Sequence, residues 1–129
     1  MKIRWTNTSV RLRITPEELN ALVRGEPIRE VLAIAGGDWT VVVFPHADRT
    51  ELMMARSDLQ IALAPADVQK LAAPDAEGVY FTYVEADRTV RYFIEKDFPC
   101  AHPRASEAAE PDRGTFTPPP DFEERKNAG

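Results

Sequence analysis

Four cations stand at alternate positions near the start of the chain: Lys2 and Arg4 in KIRW, Arg11 and Arg13 in SVRLRI. In a strand, alternate residues share a face. If the two stretches pair as a hairpin with Asn7-Thr8 at its tip, Arg4 lies opposite Arg11 and Lys2 opposite Arg13. Trp5 then faces Val10 and Ile3 faces Leu12 on the other side. The chemistry such a face offers is anion binding, because guanidinium forks match the oxygens of phosphate groups. Like charges directly across a strand pair cost a few tenths to about 1 kcal/mol. Three things could offset that cost. Water and salt can screen a solvated face. Carboxylates such as Glu51, Glu77, Glu95 and Asp97 can pair with the cations, or an anion can bind. A chain of net charge -5 that gathers four cations in its first 13 residues makes the question worth carrying into the fold.

Other reactive residues form no constellation. Cys100 and His102 make a C-x-H pair among prolines, with His46 far away in sequence; a structural zinc site wants four ligands at better spacing. Neither a phosphate-cradling glycine loop nor a G-x-S-x-G turn is present. The sequence therefore nominates no catalytic residue, no metal and no cofactor. Trp5, Trp39, Tyr80, Phe81, Tyr83, Tyr92 and Phe93 all sit in strand patterns, and core packing accounts for them.

The elements that must position the cations read as follows. VRLRITPEELNAL (10–22) alternates and then switches to helical spacing; Thr15 can cap, Pro16 suits the first helical turn, and Glu18 completes a capping box. LQIALAPADVQKL (59–71) has the same grammar 49 residues on. GGDWTVVVF (36–44) falls on EADRTVRYF (85–93) at the same offset, with Asp38, Thr40, Val41 and Phe44 matched by Asp87, Thr89, Val90 and Phe93. One constant, ungapped offset implies an internal duplication of a ββαββ motif, about 1–49 and 50–98. Strands are predicted near 2–6, 9–15, 28–35, 38–45, 50–56, 58–64, 78–84 and 88–96, with helices near 16–24 and 65–73. The fold class is α+β, mostly antiparallel. TVVVF and VYFTYV are apolar at both parities, which asks for both faces to be covered. The expected form is a curved eight-stranded sheet or a closed barrel with two short helices. The second copy lacks the cations, since Met53 would face Gln60 and Glu51 would face Ala62.

Residues 1–98 are thus one expected domain, and 99–129, with little aliphatic content and many prolines, an irregular or disordered tail. A pI near 5.1 argues against a general nucleic-acid binder. No apolar run approaches a membrane span, and the single cysteine excludes an intramolecular disulfide. Together these point to a cytoplasmic protein, with a phosphate-bearing small molecule as the expected partner.

M-K-I-R followed by S-V-R-L-R-I-T, with I-E-K-D-F-P-C near residue 100, resembles an uncharacterised family of short bacterial proteins. Its members share the N-terminal strand pair, an E-K-D-F-x-C stretch and an acidic, Pro-containing tail; the resemblance brings no activity with it. A duplicated eight-strand barrel also looks like the triphosphate tunnel enzymes, which would imply a phosphorylated substrate in a barrel lumen. Their first strand carries E-x-E-x-K, and K-I-R-W lacks those metal-holding acids. Finally, Val10-Arg11-Leu12-Arg13-Ile14-Thr15-Pro16 resembles the strand-to-helix run of swapped-hairpin antitoxins and transition-state regulators, which are DNA-binding dimers. The leading expectation is a non-enzymatic binding domain whose cationic strand face takes an anionic or phosphorylated ligand.

Overall fold

The computed structural model describes residues 1–99. Eight strands and two helices follow one another as β1 (Lys2–Trp5), β2 (Ser9–Ile14), α1 (Pro16–Val23), β3 (Ile28–Ile34), β4 (Gly37–Pro45), β5 (Glu51–Ala55), β6 (Asp58–Leu63), α2 (Pro65–Ala72), β7 (Gly78–Glu85) and β8 (Arg88–Lys96). Each predicted element lies within about two residues of its place. Residues 100–129, including Cys100, His102, Phe116 and Phe122, lie outside the described residues, as does the expected tail. Met1–Phe98 form one compact unit.

The strands make two four-stranded sheets, ordered β1-β2-β8-β7 and β3-β4-β6-β5. They do not close into a barrel, which corrects the expected single curved sheet or barrel. The reason lies in which strands meet. Four antiparallel hairpins form as the alternation requires, but each sheet joins two of them through a central parallel pair. Those pairs are β2 with β8 and β4 with β6. A parallel neighbour needs a long crossover: between β2 and β8 it carries both helices, the whole other sheet and β7, and between β4 and β6 it carries β5. Periodicity encodes which face a residue takes, not which strand lies beside it.

The pairing registers repeat between the sheets with one shift the sequence did not announce. Lys2↔Arg13 recurs as Glu51↔Ala62, 49 residues on, and the helices begin at Pro16 and Pro65 with the same spacing. The second hairpins differ by 51: the closing pair Ile34↔Gly37 corresponds to Glu85↔Arg88, and Ser9↔Arg91 corresponds to Thr40↔Asp58. The single 49-residue offset read from the sequence therefore holds for the first hairpins and the helix starts, and the registers of the second hairpins match at 51.

Helix α1 starts where its residues demand. The Thr15 hydroxyl accepts from the Glu18 N–H and the Glu18 carboxylate accepts from the Thr15 N–H, a complete capping box. It ends in a Schellman motif, with Glu26 N–H donating to Ala21 and Gly25 N–H to Leu22; Gly25 takes φ +85°, where a glycine carries no Cβ penalty. Helix α2 has Pro65 but no side-chain cap, because Ala64 stands where Thr15 stands in the first half.

One core cluster gathers both sheets and both helices, and in it Leu12, Ile14, Leu22, Val41, Val43, Ile61, Leu63, Leu71 and Ile94 are fully buried. Each contributes roughly 1.5–3 kcal/mol by leaving water. Strand β4 buries three consecutive residues, Val41–Val43, as its two-sided apolar character predicts. In β7 only alternate residues turn inward: Val79 is buried, while Tyr80, Thr82 and Val84 are exposed. The second strand expected to be covered on both faces is thus open on one.

Candidate functional site: an open cationic sheet face

The first hairpin forms in the register that alternation predicts. Arg4 lies opposite Arg11, Lys2 opposite Arg13, Trp5 opposite Val10 and Ile3 opposite Leu12. The tip is closed by Thr6 N–H donating to the Ser9 carbonyl at 2.8 Å. Inward-facing Val10, Leu12 and Ile14 alternate in β2 with half-exposed Arg11 and Arg13, so the core holds the cationic face outward on a rigid strand.

The parallel neighbour β8 extends that face. Its register places Arg91 beside Ser9, Phe93 beside Arg11 and Glu95 beside Arg13. Strand β7 then adds Thr82 beside Arg91, Tyr80 beside Phe93 and Gly78 beside Glu95. Two rows result across four strands: Arg4, Arg11, Phe93, Tyr80 and, next to it, Lys2, Arg13, Glu95, Gly78. The Arg11 and Arg91 guanidinium carbons stand 5.5 and 5.9 Å from the Phe93 ring centre, and the Tyr80 ring is tilted against Phe93 at 5.5 Å. Core packing does not account for Tyr80 and Phe93. Tyr80 is 53 % exposed and both belong to the outer face. Trp5 is likewise exposed and meets half-buried Trp39 at 5.4 Å across the two sheets, while Tyr92 is buried as expected.

Glu95 organises this surface. It is the buried charged residue among the described residues. One carboxylate oxygen lies 2.9 Å from Arg11 Nε, an ion-pair contact not aligned as a hydrogen bond. The other accepts from the Tyr80 hydroxyl at 3.2 Å. One side chain thereby fixes both a cation and an aromatic ring. Room for it comes from Gly78: a Cβ there would meet the Ile94 carbonyl oxygen at 2.6 Å and Glu95 Cγ at 2.9 Å. At the sheet edge, Lys2 Nζ pairs with Asp97 at 2.9 Å.

The crowding is therefore offset in part by internal carboxylates, Glu95 and Asp97, two of the four that the sequence offered. Glu51 instead pairs with Arg49 at 3.0 Å. Among the described residues neither Arg4 nor Arg91 makes an ion pair. The equivalent rows of the other sheet carry Met53, Gln60, Val42 and Arg29, so the concentration of charge belongs to one sheet.

Reasoning from the hairpin alone missed Arg91, Phe93, Tyr80 and the organising role of Glu95. The signal was present in TVRYFIEK, where Arg91, Phe93 and Glu95 share one parity; the missing information was that β8 lies against β2. Among the described residues no group of three or more His, Cys, Asp or Glu side chains converges as for a metal, and no helix is long and apolar enough to cross a membrane.

Comparison with known proteins places the chain without assigning it an activity. A family of unknown function (DUF7009) matches residues 1–117, and the chain belongs to that family. No curated protein and no solved structure matches it.

Proposed function

We propose that this DUF7009 member is a non-enzymatic binding domain whose outer sheet face, bearing Lys2, Arg4, Arg11 and Arg13 together with Arg91, takes a phosphate-bearing small molecule in the cytoplasm. The observation that supports this most is the row Arg4, Arg11, Phe93, Tyr80 on an open face. Its inner cation is held by Glu95 while Arg4 and Arg91 remain available to an anion. Thermal unfolding at fixed ionic strength tests the reading. Pyrophosphate should raise the melting temperature progressively with concentration, and Arg4→Gln should remove that response with little change in the unliganded protein. A melting temperature indifferent to pyrophosphate, or an equal response to any salt of matched ionic strength, would refute it.

We also read the two halves as copies of one ββαββ unit, supported by the shared sheet order and by registers that repeat at 49 and 51 residues. In that reading each sheet takes its first hairpin from one half and its second from the other. This exchange favours a second functional reading over the tunnel-type enzyme, which needs an enclosed lumen: a swapped-hairpin scaffold in which duplication replaces the dimer, with DNA as its ligand. Binding to duplex DNA with a steep salt dependence, lost in Arg4→Gln, would support this alternative. Pyrophosphate binding without duplex binding would exclude it.

A further inference from the structure

Strand β3 is an open sheet edge. Among the described residues β4 is its pairing neighbour on one side, so along the other side its backbone carries unpaired N–H and C=O groups. Its first residues alternate as a half-buried strand should, with Ile28 buried and Arg29 exposed. From Val31 the alternation stops. Val31, Leu32, Ala33 and Ile34 are all exposed, Leu32 at 56 % and Ile34 at 60 %, although both share the core-facing parity of Ile28. The apolar surface continues from there. Leu32 is the register partner of Trp39, whose ring meets that of exposed Trp5, and exposed Met54 lines one cleft with both tryptophans. Patches of this kind on a monomer mark interaction sites.

The other three edges are guarded in the usual ways. Strand β1 is short and carries Lys2 and Arg4. Strand β5 is short and opens with Glu51, paired to Arg49. Strand β7 is longer but keeps its alternation, with Val79 buried and Phe81 and Tyr83 half-buried. In β3, Val31-Leu32-Ala33-Ile34 holds no charge and no proline, and its register with β4 is unbroken.

We propose that β3 pairs antiparallel with β3 of a second copy of this chain, about a two-fold axis at Ala33, so that two four-stranded sheets become one of eight strands. The lack of charge favours an identical partner. A two-fold pair of charged strands sets like charges against each other, and this segment has none to set. With the axis at Ala33, Leu32 lies opposite the partner's Ile34 and Val31 opposite the partner's Ala35. Glu30 and Arg29 fall opposite the partner's Gly36 and the partner's Gly37, whereas an axis at either charged residue would oppose it to itself. Residues paired across antiparallel strands share a face, so the exposed core-side aliphatics of the two copies cover one another. The contact is self-complementary and closes at the dimer. It uses the sheet that does not carry the cations, and is therefore independent of the anion reading. One strand edge buries less than a standard interface of about 1,600 Å², so dissociation is expected at about 1–100 µM.

Sedimentation equilibrium of the full chain over a concentration series tests this, and should show monomer and dimer with nothing larger. Leu32→Lys and Ile34→Lys each place a lysine on the apolar edge and should weaken the dimer about ten-fold or more. Val84→Lys, the same kind of change at an exposed position of β7, should leave it within about two-fold. In a Cys100→Ser background, Ala33→Cys should form an intermolecular disulfide under mild oxidation, because residues opposite each other in an antiparallel pair have Cα atoms about 4.5–5.5 Å apart. A chain that stays monomeric to about 1 mM, species larger than a dimer, or a dimer that Val84→Lys weakens as much as Leu32→Lys does would overturn the proposal. So would a dimer in which Ala33→Cys does not cross-link. Should the lysine variants not fold, the cross-link at Ala33 still decides.

Discussion

Replacing Arg11 with Gln separates a cation held by the protein from one facing only water. The Glu95 side chain is 6 % exposed and Arg11 is 25 % exposed, with 2.9 Å between their charged atoms. Removing one partner of a buried pair costs about 3–5 kcal/mol. Several features reduce that figure here. The Tyr80 hydroxyl still donates to Glu95, and Arg13 is its register neighbour on β2. Arg11 is partly solvated, and relief of its repulsion with Arg4 returns a few tenths to about 1 kcal/mol. The expected net loss is about 1–3 kcal/mol, a fall in melting temperature of roughly 5–20 °C for a domain of this size. Urea unfolding at neutral pH would read it as a lower midpoint at unchanged slope. In a double-mutant cycle, Arg11→Gln with Glu95→Gln should lose less than the sum of the single changes by about 1 kcal/mol or more. Unchanged or increased stability in Arg11→Gln would refute the pairing, because it is what a solvated or purely ligand-directed arginine would give.

Three further outcomes follow from local geometry. Gly78→Ala should cost about 1–3 kcal/mol in chemical denaturation, because the added carbon meets backbone at 2.6 Å as well as Glu95; a neutral substitution would show that β7 and β8 are farther apart than described. Thr15→Ala removes the capping-box acceptor of α1 and should cost about 0.5–2 kcal/mol in the same assay, while introducing Thr at Ala64, the uncapped start of α2, should not destabilise. Burial first, then the charges of Asp67 and Glu51, push the Tyr92 phenol above its ordinary value. The folded protein therefore holds that proton more tightly than the unfolded chain, whose phenol titrates near about 10. Its contribution is fully present below that pH and is lost as pH rises through the folded value. Tyr92→Phe should flatten the loss of stability on the alkaline side, and an unchanged slope would contradict the sign.

Much of this was legible before the fold. Alternation in KIRW and SVRLRI set the hairpin register, because only one register sends Ile3, Leu12 and Ile14 inward together. Thr15-Pro16-Glu17-Glu18 announced α1 through the groups that satisfy its free N–H donors. What the sequence did not carry was adjacency between distant strands. Nothing local to Arg11 names Phe93 as its neighbour, and nothing local to Tyr80 says that it faces water; both depend on β8 lying parallel to β2. The same gap turned two sheets into an expected barrel. A register offset of 51 in place of 49 is not visible in the alternation, because at period 2 a shift of two leaves every side chain on its own face.

Phosphate binding at the outer face of the β1-β2-β8-β7 sheet is the proposal on which the functional reading stands or falls. Titrating isotopically labelled protein with pyrophosphate at fixed ionic strength, while following the arginine side-chain and backbone amide resonances by NMR, tests it most directly. Saturable shifts are expected, centred on Arg4, Arg11 and Arg91 and their strand neighbours, with the matching face of the other sheet, around Met53 and Gln60, unaffected. Shifts that never saturate, or that centre elsewhere on the domain, would contradict it.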